Sequence, residues 1–263
     1  MDFIWPAKIY EINSNFQFIN AIDELDKYRF SGREQILDIG CGDGKITESI
    51  AKKLSSGHIT GIDSSQEMIT LAKKRYQKNN KINFVIQDAN QICCINKYDL
   101  IVSFACLHWI AKKYILLKKI YSALRENGTV LLDLYPKHEN LWDPINEVTN
   151  SVKWKKYFNN FIDPHINYHI IDYKRLCSES GFKIINISEE IKYSYFDDIR
   201  QMMDFLISWL PHSERIPNEL RDNYIYEICN KIILNNQNTF KVLSNKFMIP
   251  FKRIFCHLKK EYN

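Results

Sequence analysis

The feature that most constrains this chain is the run Ile36-Leu37-Asp38-Ile39-Gly40-Cys41-Gly42-Asp43-Gly44, a short apolar stretch that breaks into three glycines at alternate positions. Because Lys45–Leu54 follows with apolar residues at helical spacing, the segment reads as strand, turn and helix, with a turn whose backbone must be approached closely. From Gln35 to Leu134 the same alternation continues, which is the pattern of a parallel sheet covered by helices. Strands are expected at 35–39, 58–62, 82–86, 100–104 and 129–134, and helices at 45–54, 65–77 and 114–124. Ser64-x-x-Glu67 reads as a capping box opening the second helix, and Asn127-Gly128 as the stop of the third.

Glycine turns after a strand serve several cofactors, so the spacing matters. In a dinucleotide-binding fingerprint the third glycine falls three residues after the second; here that position is Lys45, and G-x-G-x-G is met instead. Asp63 ends the second expected strand, nineteen residues beyond Gly44, where a carboxylate reaches ribose hydroxyls. Asp88 ends the third. Glycines and acids at the carboxyl ends of three successive strands open onto one crevice, which is where an open α/β sheet binds its ligand.

With these residues the chain resembles the class I S-adenosylmethionine-dependent methyltransferases, whose first motif the run 36–44 closely matches. The resemblance implies an α/β, Rossmann-like, mostly parallel seven-stranded sheet with helices on both faces and a helical, aromatic-rich cap formed by insertions. It implies S-adenosylmethionine as cofactor, with Asp38 and the backbone of Gly40, Cys41, Gly42 and Gly44 near the methionine end, Asp63 on the ribose, and Asp88 and Ala89 at the adenine; Ser103, on the fourth strand, joins this set. The family usually has a bulky apolar residue after the ribose acid. Here it is Ser64, which leaves the adenine face to Met68.

The fourth strand runs directly into Leu107-His108-Trp109. Enzymes that methylate exocyclic base amines usually carry an Asp/Asn-Pro-Pro-Tyr/Phe motif there, and Ser103-Phe104-Ala105-Cys106 departs from it. The Leu-His-Trp element resembles small-acid carboxyl methyltransferases, among them the juvenile hormone acid, trans-aconitate and malonyl-carrier-protein enzymes. The similarity to the first of these resumes at Trp154-x-x-Tyr157, Phe161-Ile162-x-Pro164, Gly181-Phe182 and Glu214-Arg215-Ile216-Pro217. By resemblance, Trp109 and Gln17 match positions that hold a substrate carboxylate. The chemistry agrees: a carboxylate, with a pKa near about 4, is ionised at neutral pH and needs orienting donors, not a base. An indole N–H only donates, and an amide N–H also donates. His108 is a candidate base for an amine or phenol acceptor, or a structural histidine. The expected function is carboxyl O-methylation of a small or carrier-bound acid. The alternatives are methylation of an amine, phenol or tRNA position, and cofactor binding without turnover.

Domain organisation follows from where the regularity stops. Residues 1–263 read as one methyltransferase domain, with an N-terminal helical segment over the active site (1–30), a cofactor-binding core (31–135), insertions at 136–180 and 197–239 that form the cap, and final strands within 181–196 and 240–259. The first insertion carries Trp142, Trp154, Tyr157, Phe158, Phe161 and Tyr168 without strand periodicity. A hydrophobic fraction of 45% and a charged fraction of 25% are those of an ordinary globular protein. The formal charge of +5 comes with lysine pairs scattered along the chain, so no basic stripe marks a nucleic-acid surface. Seven cysteines without C-x-x-C or other metal-ligand spacing read as reduced thiols with no metal. The longest uncharged apolar run, 100–107, is far below the roughly 18 residues that span a bilayer, and the first residues lack a basic-then-apolar leader; a cytoplasmic protein is expected.

Overall fold

The computed structural model describes residues 14–236 and 246–261. Seven strands form one sheet in the order β3-β2-β1-β4-β5-β7-β6: β1 (Gln35–Ile39), β2 (His58–Asp63), β3 (Ile82–Ile86), β4 (Tyr98–Phe104), β5 (Leu124–Leu134), β6 (Lys183–Phe196) and β7 (Phe247–Lys259). β1 pairs in parallel with β2 and β4, β2 with β3, and β4 with β5, whereas β7 lies antiparallel to β5. The chain order reverses direction between β1 and β4, which puts the topological switch point beside the glycine run.

Side chains of successive strand residues point to opposite faces, and both faces are apolar, as an interior parallel sheet requires. Leu37, Ile39, Ile101, Val130 and Leu132 face one core, covered by α4 (Lys113–Ala123) and α6 (Ile170–Glu179) through Leu116, Leu117, Ile120, Tyr173 and Cys177. Ile36, Leu100, Val102 and Leu131 face the other, covered by α1 (Asn15–Leu25) and α2 (Lys45–Ala51) through Ala21, Leu25, Ile50 and Ala51. α3 (Gln66–Tyr76) adds Ile69 and Ala72 to a smaller cluster with Cys41 and Phe84.

The chain divides into two compact units. One contains the sheet core, with Asn15–Tyr135, Ile166–Glu189 and the chain from Ile254 onward. The other contains Pro136–His165 and Glu190–Arg253. Its helices are α5 (Glu139–Thr149), α7 (Ile199–Trp209) and α8 (Asn218–Asn235). Its interior is aromatic: Trp142 lies 4.8 Å from His165 with the rings tilted by 54°, Trp154 meets Tyr224 edge-on at 5.2 Å, and Trp154 Nε1 donates to Glu227 at 2.7 Å. Burial among these rings lowers the His212 pKa to about 4.

Three local expectations are corrected. The cap of α3 is Ser65, not Ser64: Asp63 takes the Ser65 N–H at 2.8 Å, and Ser65 Oγ, held extended, accepts from Met68 N at 3.3 Å. Ser64 is exposed. α4 ends at Ala123, before Asn127-Gly128, because buried Leu124 already pairs with Tyr98; Asn127 then takes a left-handed conformation (φ 61°) inside β5, where the pairing with β4 shifts register. Within the first insertion, residues 139–149 form a helix whose periodicity was hidden by Pro144 and by the adjacent Leu141 and Trp142, both buried. The expectation of a helical segment from residue 1 lies outside the described residues up to 13.

Candidate active site

The glycine turn is fastened to the end of β2. Gly40 N and Cys41 N both donate to Ile62 O, at 2.8 and 3.0 Å, and Gly42 N donates to Asp63 Oδ2 at 3.0 Å. Gly40, Gly42 and Gly44 all have positive φ, of 73°, 53° and 81°. At Gly40 the need is also spatial: a Cβ there would lie 2.2 Å from Cys106 Sγ. Asp43, 4% exposed, pins the turn to α3 through Arg75 at 2.9 Å.

Two carboxylates lie beneath this turn. Asp38 is 2% exposed and accepts from Thr47 Oγ1 at 2.6 Å; burial, opposed by that hydrogen bond and aided by the nearby Asp63, raises its pKa to about 7. Burial also pushes the Asp63 carboxyl up, against the pull of the Ser65 and Gly42 N–H groups. Among the described residues neither acid has a Lys or Arg partner. A buried and a half-buried carboxylate with no cationic partner among the described residues suit a ligand that carries positive charge and hydroxyl donors, and disfavour a pyrophosphate. S-adenosylmethionine, with its ammonium, sulfonium and ribose diol, fits this pair of acceptors.

Asp88 stands two residues past the end of β3, exposed, and caps the short turn Ala89–Gln91 by accepting from Asn90 N at 2.8 Å; Ala89 is buried. Met68 is buried on α3. Ser103 is fully buried and its hydroxyl donates to Ile39 O at 2.8 Å, so its side chain fastens the end of β1 to β4.

At the end of β4 the chain bends sharply. Ala105 is left-handed (φ 54°), a conformation that costs a non-glycine residue about 1 to 2 kcal/mol, and its N–H donates to Asp133 O at 2.9 Å. The bend sets up the short helical turn Leu107–Trp109. His108 is 4% exposed, with Nδ1 accepting from Tyr135 N at 3.4 Å; Trp109 is half-buried, its ring 5.1 Å from the imidazole. Gln17 lies in the first turn of α1, between two anchors: Asn15 accepts from Lys45 Nζ at 2.7 Å, beside the glycine turn, and Asn20 Nδ2 donates to Tyr135 Oη at 3.2 Å. Gln17 Oε1 is buried and, among the described residues, has no hydrogen-bond partner. Thr47, Asn20, Asp133 and Tyr135 were not singled out by sequence. The only signal for Asn20 is its place one helical turn after Gln17, and for Tyr135 its place at the carboxyl end of a parallel strand.

A family model described as a methyltransferase domain matches residues 36–128. Malonyl-[acyl-carrier protein] O-methyltransferase 1 of Ilyobacter polytropus is 30% identical over 195 residues, which span 73% of this chain and 69% of the relative. The chain belongs to the class I S-adenosylmethionine-dependent methyltransferases. Juvenile hormone acid O-methyltransferase of Drosophila melanogaster aligns with this methyltransferase over 97% of the chain and 92% of its own length at 24% identity. Among solved structures, the YcgJ protein of Bacillus subtilis shares the fold, with a TM-score of 0.65 at 14% identity over 93% of this chain and all of the other. Among the described residues, no helix of the methyltransferase is long and apolar enough to cross a membrane.

Proposed function

We propose that this methyltransferase esterifies the carboxylate of a small or carrier-bound organic acid. The observation that carries the reading is the hydrogen bond from Tyr135 N to His108 Nδ1. A neutral imidazole has one acceptor and one donor nitrogen, so engaging Nδ1 as acceptor places the proton on Nε2. His108 then offers no lone pair at Nε2 for taking a proton from an amine or phenol. Trp109 Nε1 and the Gln17 amide are donors as well, and a set of donors that, among the described residues His108, Trp109 and Gln17, includes no base matches an acceptor that is already an anion. The Drosophila and Ilyobacter relatives are both named for methylation of an acid, which supports the same reading.

In this proposal Asp63 accepts from the ribose hydroxyls, Asp38 faces the ammonium end, Asp88 and Ala89 meet the adenine edge with Met68 against the ring, and the Gly40–Gly44 backbone closes around the methionine chain. Bound S-adenosylmethionine supplies an electrophilic methyl group on a sulfonium that leaves as a neutral thioether. Gln17 and Trp109 orient the acid, and the protein's main contribution is alignment and exclusion of water. All seven cysteines are free, and reduced thiols fit a cytoplasmic site of action.

The Trp109→Phe variant separates the donor from the ring. Losing a charge-assisted hydrogen bond of roughly 1.5 to 3 kcal/mol lowers acid turnover about tenfold or more, with cofactor affinity unchanged by calorimetry. Parental acid turnover in the Phe variant removes Trp109 from the acceptor site.

A further inference from the structure

We propose that Tyr135 is the positioning residue of the acceptor site, holding α1 and the His108–Trp109 turn in one fixed register; the proposal rests on the carboxyl reading above for the roles of Gln17 and Trp109. Tyr135 follows β5 directly and is 7% exposed. Its two polar groups reach two different elements. The hydroxyl accepts from Asn20 Nδ2 at 3.2 Å, and because that lone pair is taken by a donor, its own proton goes to Asp133 Oδ2 at 3.1 Å, a carboxylate with no exposed surface. The backbone N–H donates to His108 Nδ1. The ring packs 5.7 Å from Phe16 and 6.0 Å from His108.

Asn20 and Gln17 are three residues apart on α1 and therefore share a face, so the Asn20–Tyr135–Asp133 chain fixes the rotation of the helix that presents Gln17. Phe16 adds an apolar brace next to it. On the other side, the turn carrying Trp109 is held by Tyr135 N at the imidazole, by Ile166 N on the His108 carbonyl at 3.0 Å, and by Lys113 Nζ on the Ile110 carbonyl at 3.1 Å. Lys113 is 1% exposed, its ammonium 4.6 Å over the Tyr168 ring. Tyr135 touches both elements that carry the acceptor donors. A hydroxyl at this position does no proton transfer; it sets the spacing between an amide donor on a helix and an indole donor on a turn. Such spacing matters because small misplacements of orienting groups are costly.

The test is a double-mutant cycle between Tyr135→Phe, which deletes the hydroxyl and keeps the ring and backbone N–H, and Gln17→Leu. Methyl-labelled S-adenosylmethionine is supplied with dodecanoate, benzoate, trans-aconitate and a malonyl thioester as acceptors, and the cycle is run on the best of them. Each single variant is expected to raise KM for the acid about tenfold, with little change in kcat or in cofactor affinity. The double variant is expected to lie within about twofold of Gln17→Leu alone, because the hydroxyl acts through Gln17. Multiplying losses, or a parallel fall in cofactor affinity, overturn the proposal and indicate a general structural role. Amide hydrogen exchange across residues 17–21 is measured on the same proteins without acceptor, and Tyr135→Phe is expected to accelerate it about tenfold. If no acid is esterified, the carboxyl reading falls while exchange still decides the positioning claim: parental protection in Tyr135→Phe overturns it.

Discussion

Asp38 shows how a single residue can be designed for a ligand at the expense of the unliganded fold. Its pKa, raised from 3.8 to about 7 by burial, means that the folded protein holds a proton there that the unfolded chain has already released. Between those two values stability therefore falls as pH rises, the reverse of an ion-paired carboxylate. The prediction is that Asp38→Asn, compared with the parent in the absence of cofactor, gains in Tm progressively from pH 5 to pH 8, while its affinity for S-adenosylmethionine is weaker at pH 8. A Tm difference that stays constant across that range contradicts the assignment. At this scale the sequence was informative for the acids and glycines, because each role depends on position along one strand–turn–helix unit. It was silent on Thr47, which satisfies Asp38 from the next helix, and on Asn20 and Tyr135, whose contact joins residues 115 apart in the chain.

The glycine turn shows the same logic at the level of an element. β1 and β3 have the boundaries expected from apolar runs alone; β1, buried from Ile36 to Ile39, leaves a continuous apolar signal, and β3 keeps an apolar run although it lies at the sheet edge with Asn83 and Ile86 exposed. The end of α4 did not, because Asn127-Gly128 has stop chemistry but serves a kink inside β5, and tertiary pairing of Leu124 with Tyr98 decides the matter. For the turn itself, Gly40→Ala combines a left-handed backbone with a Cβ against Cys106, and is expected to cost about 2 to 5 kcal/mol in denaturant unfolding. Of the close contacts a Cβ would make there, those with Cys106 Sγ and Cβ, at 2.2 and 2.5 Å, disappear in Cys106→Gly, leaving Cα at 3.9 Å. The Gly40→Ala/Cys106→Gly pair is therefore expected to recover the clash portion of the loss and retain the backbone portion. A double variant no more stable than Gly40→Ala alone contradicts the close-approach argument.

For the whole molecule, the five parallel strands and the family could be read from residues 35 to 134, whereas the strand order, with β7 between β5 and β6 and antiparallel to β5, is set by pairing far along the chain. The second unit was legible only as insertions at 136–180 and 197–239, whereas Ile166–Glu189 belongs with the sheet core and Glu190–Arg253 with the second unit; its bounds were hidden because its aromatic residues pack as a cluster of rings, and neither Trp142 against His165 nor Trp154 against Tyr224 leaves a periodic trace. In the sequence the acceptor was legible only as an expected class, through the likeness of Leu107-His108-Trp109 to small-acid carboxyl methyltransferases, with His108 left open as a base. The central claim is therefore a claim about the product. Methyl-labelled S-adenosylmethionine is incubated with the protein and a panel of acids, amines and phenols, and the labelled product is treated with base. Release of volatile labelled methanol from an acid product is the expected result, since a methyl ester hydrolyses under those conditions; base-stable label on an amine or phenol, with none on any acid, contradicts it.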